Sequence, residues 1–133
     1  QRGWPLTEAR ARRLIAQGEG ERVEFKESLT SQLRRAAVET LAAFAAKHGG
    51  TVFFGVRDDG TLRGVQVGQQ TLEKLAREIE SNTDPPLTAP HLRVALFQFA
   101  EGTVLAASVD SMQRECRAYG RVCRRVGRQT WRR

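Results

Sequence analysis

The stretch SQLRRAAVETLAAFAAKHGGTVFFGVRDDG, residues 31–60, does most to limit what this chain can fold into. Leu33, Ala37, Leu41, Phe44 and Ala45 recur at helical spacing and predict a helix over Ser31–Lys47. Gly49-Gly50 ends it. The apolar run TVFFGV, residues 51–56, follows at once and is bounded by Asp58-Asp59-Gly60. That run predicts a strand, and its Asp-Gly step a tight turn into a second strand over Thr61–Val67. A helix delivered straight into strands calls for a fold that packs both.

The flanking sequence extends the pattern. Thr7 can cap a helix that Glu8 to Arg10 open, that Leu14 and Ile15 make apolar on one side, and that Gly18 and Gly20 stop. RVEFK, residues 22–26, alternates, with Val23 and Phe25 on one face and Arg22, Glu24 and Lys26 on the other. Gln69–Ser81 predicts a helix with Leu72, Leu75, Ala76 and Ile79 inward, ended by Asp84-Pro85-Pro86. Leu92–Phe99 and Thr103–Val109 predict strands joined at Glu101-Gly102, and Gly120–Val126 a last one. The expected class is α+β, a mixed sheet of about five to six strands packed with three helices.

A length of 133 residues, with no repeat or internal linker, suits one domain over 1–133. The chain opens on Gln1 without an initiator methionine, so a processed form or a piece of a longer protein is expected, with room for a companion domain after Arg133. The longest apolar-leaning run, Leu41 to Ala46, is far too short to span a bilayer, and no secretory leader is recognisable. No membrane partner is expected. Cys116 and Cys123 make a poor disulfide framework and fit a reduced, cytoplasmic setting. Their C-x6-C spacing, far from His48 and His91, disfavours structural zinc.

The charge is unevenly placed. The formal net charge is +7, and residues 114–133 contain eight arginines against Glu115 alone, so the whole excess lies there. A basic segment on an otherwise neutral domain is the footprint of a polyanion binder, or else a solubilising tail. In GRVCRRVGRQTWRR, residues 120–133, Val122 and Val126 can anchor a strand while Arg121, Arg124, Arg125 and Arg128 reach outward. Trp131, among Arg128, Arg132 and Arg133, can stack on an unpaired base while the arginines bind phosphate. The plainer alternative is a frayed terminus with its tryptophan packed on the domain.

The chain has no G-x-x-x-x-G-K-[ST] phosphate loop, so no ATP site is recognisable, and no G-x-S-x-G elbow. In GEGERVEFKES, residues 18–28, Glu19 and Glu24 can approach one another across a glycine turn, and Asp58 or Asp59 can add a third acid. Such a set suits Mg²⁺ or Mn²⁺ and water activation against a phosphodiester, with Lys26 stabilising the developing charge. Ordinary turn chemistry and a charged strand face are the plain alternative.

EFKES, AAFAAKHGGTVFFGVRDDGTLRGV (residues 42–65) and RVCRRVG, taken in order, resemble the Schlafen/AlbA-like domain family over roughly residues 15 to 130. The family pattern runs E-F-K, a helix ending A-F-A-N-x-x-G-G, an apolar strand into G-V-x-D-x-G-x-x-x-G, then R-x-G. The resemblance implies a mixed-sheet fold and nucleic-acid binding, often at the front of bacterial transcriptional regulators. In vertebrate relatives paired copies bind RNA, which makes a homodimer and an RNA target further expectations. Some of those relatives are metal-dependent endoribonucleases with an E-x4-E pair and a later aspartate, a pattern that Glu19, Glu24 and Asp58 match. Ala46 stands where the family has asparagine, and Arg57 where it commonly has an acid. An arginine there is expected to pair with the glutamates rather than leave them for a metal. Three functions are therefore open: a nucleic-acid-binding module, a metal-dependent nuclease, and a protein-interaction domain.

Overall fold

The computed structural model describes residues 6–133, so the first five positions of the expected single domain lie outside the described residues. The elements run α1 (Glu8–Gln17), β1 (Val23–Lys26), α2 (Ser31–Ala46), β2 (Gly50–Phe54), α3 (Thr71–Ser81), β3 (Thr83–Asp84), β4 (Leu92–Phe99), β5 (Gly102–Val109), β6 (Arg117–Ala118), β7 (Arg121–Val126) and β8 (Gln129–Arg132). The fold is α+β with three helices, and its strands divide into two four-stranded sheets.

The first sheet has the order β1-β2-β5-β4. β1 and β2 are parallel, a pairing that needs a crossover connection, and α2 supplies it. β5 and β4 continue antiparallel across the Gly102 hairpin. One face packs Val23, Phe25, Phe53, Val104 and Ala106 against Ala11 and Ile15 of α1. The other packs Val52, Phe54, Leu105 and Ala107 against Leu41 and Phe44 of α2 and Leu75 and Ile79 of α3. Burial on both faces explains why TVFFGV is apolar throughout rather than alternating.

The second sheet, β3-β6-β7-β8, lies across the far side of α2. This leaves α2 between two sheets, and every residue from Ala37 to Ala45 is buried, Glu39 and Thr40 included. Four alanines in that run, Ala37, Ala42, Ala43 and Ala45, let β-strands approach the helix from both sides. Gly49 and Gly50 do more than stop it. Gly49 sits at φ +79°, and a Cβ there would lie 2.7 Å from the Val109 carbonyl oxygen. A Cβ on Gly50 would meet the Phe44 ring at 2.6 Å.

Thr7 caps α1 as expected, its Oγ1 accepting from Arg10 N at 3.1 Å. Thr30 caps α2 in the same way through Leu33 N. One expectation fails: Thr61–Val67 makes only an isolated Val56–Leu62 bridge, because Gly64 turns the chain at φ +85° against Gly55 and Gly102. Among the described residues no helix is long and apolar enough to cross a membrane.

Candidate nucleic-acid interface

β7 and β8 form an antiparallel hairpin that pairs Cys123 with Arg132, Arg124 with Trp131, Arg125 with Thr130 and Val126 with Gln129. Directly opposed residues share a face, so the register sorts the hairpin into two sides. Arg124, Val126, Gln129 and Trp131 make the outer side, where Trp131 is 58% and Val126 60% exposed. Arg125 and Thr130 make the inner side, over α2 and β1. The terminus is therefore a paired strand and not a frayed end, and its tryptophan stands in solvent.

The hairpin and the strand beneath it correct the sequence reading at three residues. Arg125 does not reach outward: it is 2% exposed, and its Nη1 donates to Glu24 Oε1 at 2.6 Å. Its remaining nitrogens donate to Gly20 O and Val23 O, and Nη1 also reaches Thr130 Oγ1 at 2.9 Å. The guanidinium also lies 5.0 Å from the centre of the Phe44 ring. Val126, expected to anchor the strand, instead points to solvent. Hydropathy alone would bury the valine and expose the arginine. A carboxylate already buried on β1 reverses the preference, since an unpaired buried charge costs far more than one exposed valine. Lys26, expected both to contact nucleic acid and to stabilise charge developing at a phosphodiester, is likewise engaged, 3.0 Å from Glu24 Oε2 and only 17% exposed at its side chain.

The acids of residues 18–28 hold this hairpin. Glu24 is buried and also accepts from Thr40 Oγ1 at 2.8 Å. Glu21 Oε1 accepts from Gly127 N at 2.9 Å, fixing the β7–β8 turn, while Lys47 sits 2.9 Å from Glu21 Oε2. The Lys47 hydrogen bond, then the Gly127 N–H, hold the Glu21 carboxyl below its ordinary range despite some desolvation. Glu19 Oε2 accepts from Phe25 N at 2.8 Å, closing the glycine turn. Arg57 pairs with a glutamate as expected, but with Glu27, at 3.2 Å.

These contacts bear on the cation that the family resemblance implied. Glu24 has both oxygens bound by protein donors, Glu19 is turned to its own backbone, and Asp58 lies on an exposed turn. Among the described residues no three His, Cys, Asp or Glu side chains gather into a set that could hold a metal. As arranged, Glu19, Glu24 and Asp58 do not fit a cation site. Cys116 and Cys123 are free and buried.

Outside, the basic groups are less engaged. Arg117 pairs with Glu115, and Arg132 reaches back to Glu39 at 3.5 Å while staying about half exposed. Among the described residues no ion pair holds Arg121, Arg124, Arg128 or Arg133, all of them exposed. Arg124, Trp131 and Arg133 share the outer side of the hairpin as a basic, aromatic surface, Arg128 stands in its turn, and Arg121 opens β7 on the alternate side. Sequence reasoning missed Glu39, Thr40 and Thr130. The signal for the first two was two polar residues inside the otherwise apolar run Ala37–Ala45.

The family model for the Schlafen AlbA_2 domain matches residues 19–132. No curated protein matches the chain. Among solved structures, the DIP2311 protein of Corynebacterium diphtheriae superposes with a TM-score of 0.70 at 18% identity, over 94% of this chain and 26% of its own. This chain therefore spans about a quarter of DIP2311. The N-terminal domain of a RecG-related protein of Nitrosomonas europaea, named for its relation to an ATP-dependent DNA helicase, gives a TM-score of 0.55 at 23% identity, over 76% of this chain and 72% of its own. At these identities the two neighbours establish the fold alone.

Proposed function

The chain belongs to the Schlafen AlbA_2 family, and from that premise we propose that it is a nucleic-acid-binding module whose contact surface is the outer side of the β7–β8 hairpin. The observation that carries this reading is the exposed Arg124–Trp131 cross-strand pair, with Arg133 on the same side and Arg128 in the adjoining turn. An indole face offers stacking to an unpaired base, and guanidinium forks beside it suit the phosphates on either side. The name of the Nitrosomonas neighbour, related to a DNA helicase, leans the same way and makes DNA the first target to try, with RNA the alternative. We place the module in a cytoplasmic transcriptional regulator, acting as a homodimer beside a companion domain; the family resemblance is the support for that setting. The nuclease reading finds no supporting observation here, because Glu24 is bound to the hairpin's Arg125, Glu19 to Phe25 N, and Asp58 gathers with neither among the described residues.

The test is fluorescence anisotropy with labelled duplex DNA, single-stranded DNA and hairpin RNA, across a salt series with EDTA present. Binding that weakens with salt, tightest for a substrate with unpaired bases and lost in Arg124→Gln/Trp131→Ala, is the expected result. Flat curves for all three substrates at low salt would overturn the proposal and turn attention to a protein partner.

A further inference from the structure

A second basic site lies away from the hairpin's outer side. Between α1 and the end of the first sheet is a cleft of about 380 Å³, walled by Arg10, Arg22, His48, Arg93 and Asp110 with Thr51 and Ser108 at its floor. Among the described residues that line it, Asp110 is the one acid. Its carboxylate is already taken by Arg93, at 3.1 Å, and faces His91 Nδ1 at 3.6 Å. Among the described residues neither Arg22 nor His48 has an ion pair, and both are exposed at the mouth.

One buried donor on a residue lining this cleft also lacks an acceptor. Arg93 Nε is buried with no hydrogen-bond partner among the described residues. Thr51 Oγ1 and Ser108 Oγ are 2.8 Å apart, and one hydroxyl proton closes that bond, leaving the second to donate elsewhere. An unmet guanidinium donor, a hydroxyl pair with a proton to spare and the exposed Arg22 together match a group that is anionic and carries several acceptor oxygens. A tetrahedral phosphate has that character. The volume is larger than phosphate alone requires and falls in the range of small-molecule pockets.

Position supplies the source of the phosphate. Arg22 and His48 adjoin Glu21 and Lys47 in sequence, and those two residues hold the hairpin turn through Gly127 N and Arg125 O. One residue of backbone thus separates each of these two mouth residues from a contact to the turn of the proposed binding hairpin. We propose that this cleft is a phosphate-binding site that takes a terminal phosphate of the nucleic-acid strand bound along the hairpin. The choice of a strand rests on the nucleic-acid reading above; the phosphate chemistry stands on the cleft alone.

The experiment titrates the whole chain with inorganic phosphate, a nucleoside monophosphate, and one single-stranded oligonucleotide in 5′-phosphorylated and 5′-hydroxyl forms. Amide chemical shifts of Gly49, Gly50 and Ser111 report on the cleft, and anisotropy reports on the oligonucleotides. Inorganic phosphate is expected to move those amides, and the 5′-phosphorylated strand to bind about tenfold more tightly than its hydroxyl twin, a 1.4 kcal/mol preference. Both effects are expected to vanish in Arg22→Gln/His48→Gln, whose side chains lie at the surface and whose fold a matching circular dichroism spectrum checks. No shift at the cleft with phosphate or nucleotide would overturn the site. Shifts with phosphate and nucleotide but equal affinity for the two strands would overturn the strand as the source. Loss of strand binding in Arg124→Gln/Trp131→Ala, with the phosphate shifts intact, would support two separable sites. Cleft shifts without binding of any strand would sink the hairpin reading and the strand assignment together, while the phosphate chemistry stood.

Discussion

Arg125 Nη1 donates to Glu24 Oε1 at 2.6 Å across 101 residues of sequence, and this contact joins the two sheets beneath α2. Both side chains are buried, and Thr40, Thr130, Lys26 and the carbonyls of Gly20 and Val23 satisfy their remaining groups. One arginine of the basic terminus is thereby a structural element, while its neighbour Arg124 faces solvent.

That division can be measured. Arg125→Met leaves Glu24 buried with only Lys26 and Thr40, and is expected to cost about 3 kcal/mol, the low end for a broken buried pair because Lys26 remains. Arg124→Gln, at an exposed position, is expected to stay within about 0.5 kcal/mol of the parent. Urea denaturation at neutral pH compares them. Equal losses would mean that the buried pair contributes little.

Trp131→Ala is expected to weaken single-strand binding by about 1–3 kcal/mol while leaving stability unchanged, because the ring is mostly exposed. Arg124→Gln is expected to flatten the salt dependence by about 0.7 in log–log slope if it contacts one phosphate on a single strand. Anisotropy titrations on both variants check the pair of effects. An unchanged affinity for Trp131→Ala would remove stacking from the account.

Gly49→Ala forces a left-handed residue to carry a Cβ 2.7 Å from the Val109 oxygen, and is expected to lose at least about 1–2 kcal/mol. Gly68→Ala is the control, since its Cβ would find only Thr71 Oγ1 at an ordinary 3.8 Å. Thermal melts followed by circular dichroism distinguish them. Similar melting temperatures would show that the α2–β2 junction relaxes more freely than its packing indicates.

Burial pushes the Asp110 carboxyl up, but hydrogen bonds and charge from Arg93 and His91 more than offset it and hold the group below its ordinary 3.8. A folded-state value below the unfolded one means stability present above the unfolded pKa and lost as pH falls through the folded one. Arg93→Gln is therefore expected to be less stable than the parent near neutrality, with the gap narrowing as acid protonates Asp110. Denaturation curves from neutral pH to below the ordinary aspartate range give the comparison. A gap that stayed constant would show that Arg93 acts through packing alone.

Burial pushes the Cys123 thiol up to about 11 and raises that of Cys116 as well. Neither is expected to react with a thiol reagent at mildly alkaline pH until the protein is unfolded, when both react. Rapid labelling of the folded chain would place a thiolate at the surface.

Much of the fold was legible because its signals are local. The Thr7 cap, the glycine stop after α2 and the Glu101-Gly102 hairpin are each written within a few residues, and the structure places each as the pattern predicts. The family motifs were legible in the same way, as short runs in a fixed order. The two missed or misread parts are non-local. Thr61–Val67 has strand-like residues, but Gly64 turns the chain where Gly55 and Gly102 crowd it, a packing event no window contains.

By itself, then, the sequence determined the α+β class, the helices and the excess of arginine after residue 113. Only the tertiary structure decided which arginines face solvent and what the early glutamates do. Hydropathy gives every arginine the same preference for water. Glu24, brought under the hairpin from 101 residues away, makes burial favourable for Arg125 alone, and Glu21 takes the turn at Gly127. Charge pairing across that distance depends on where the chain has folded, and no local pattern encodes it.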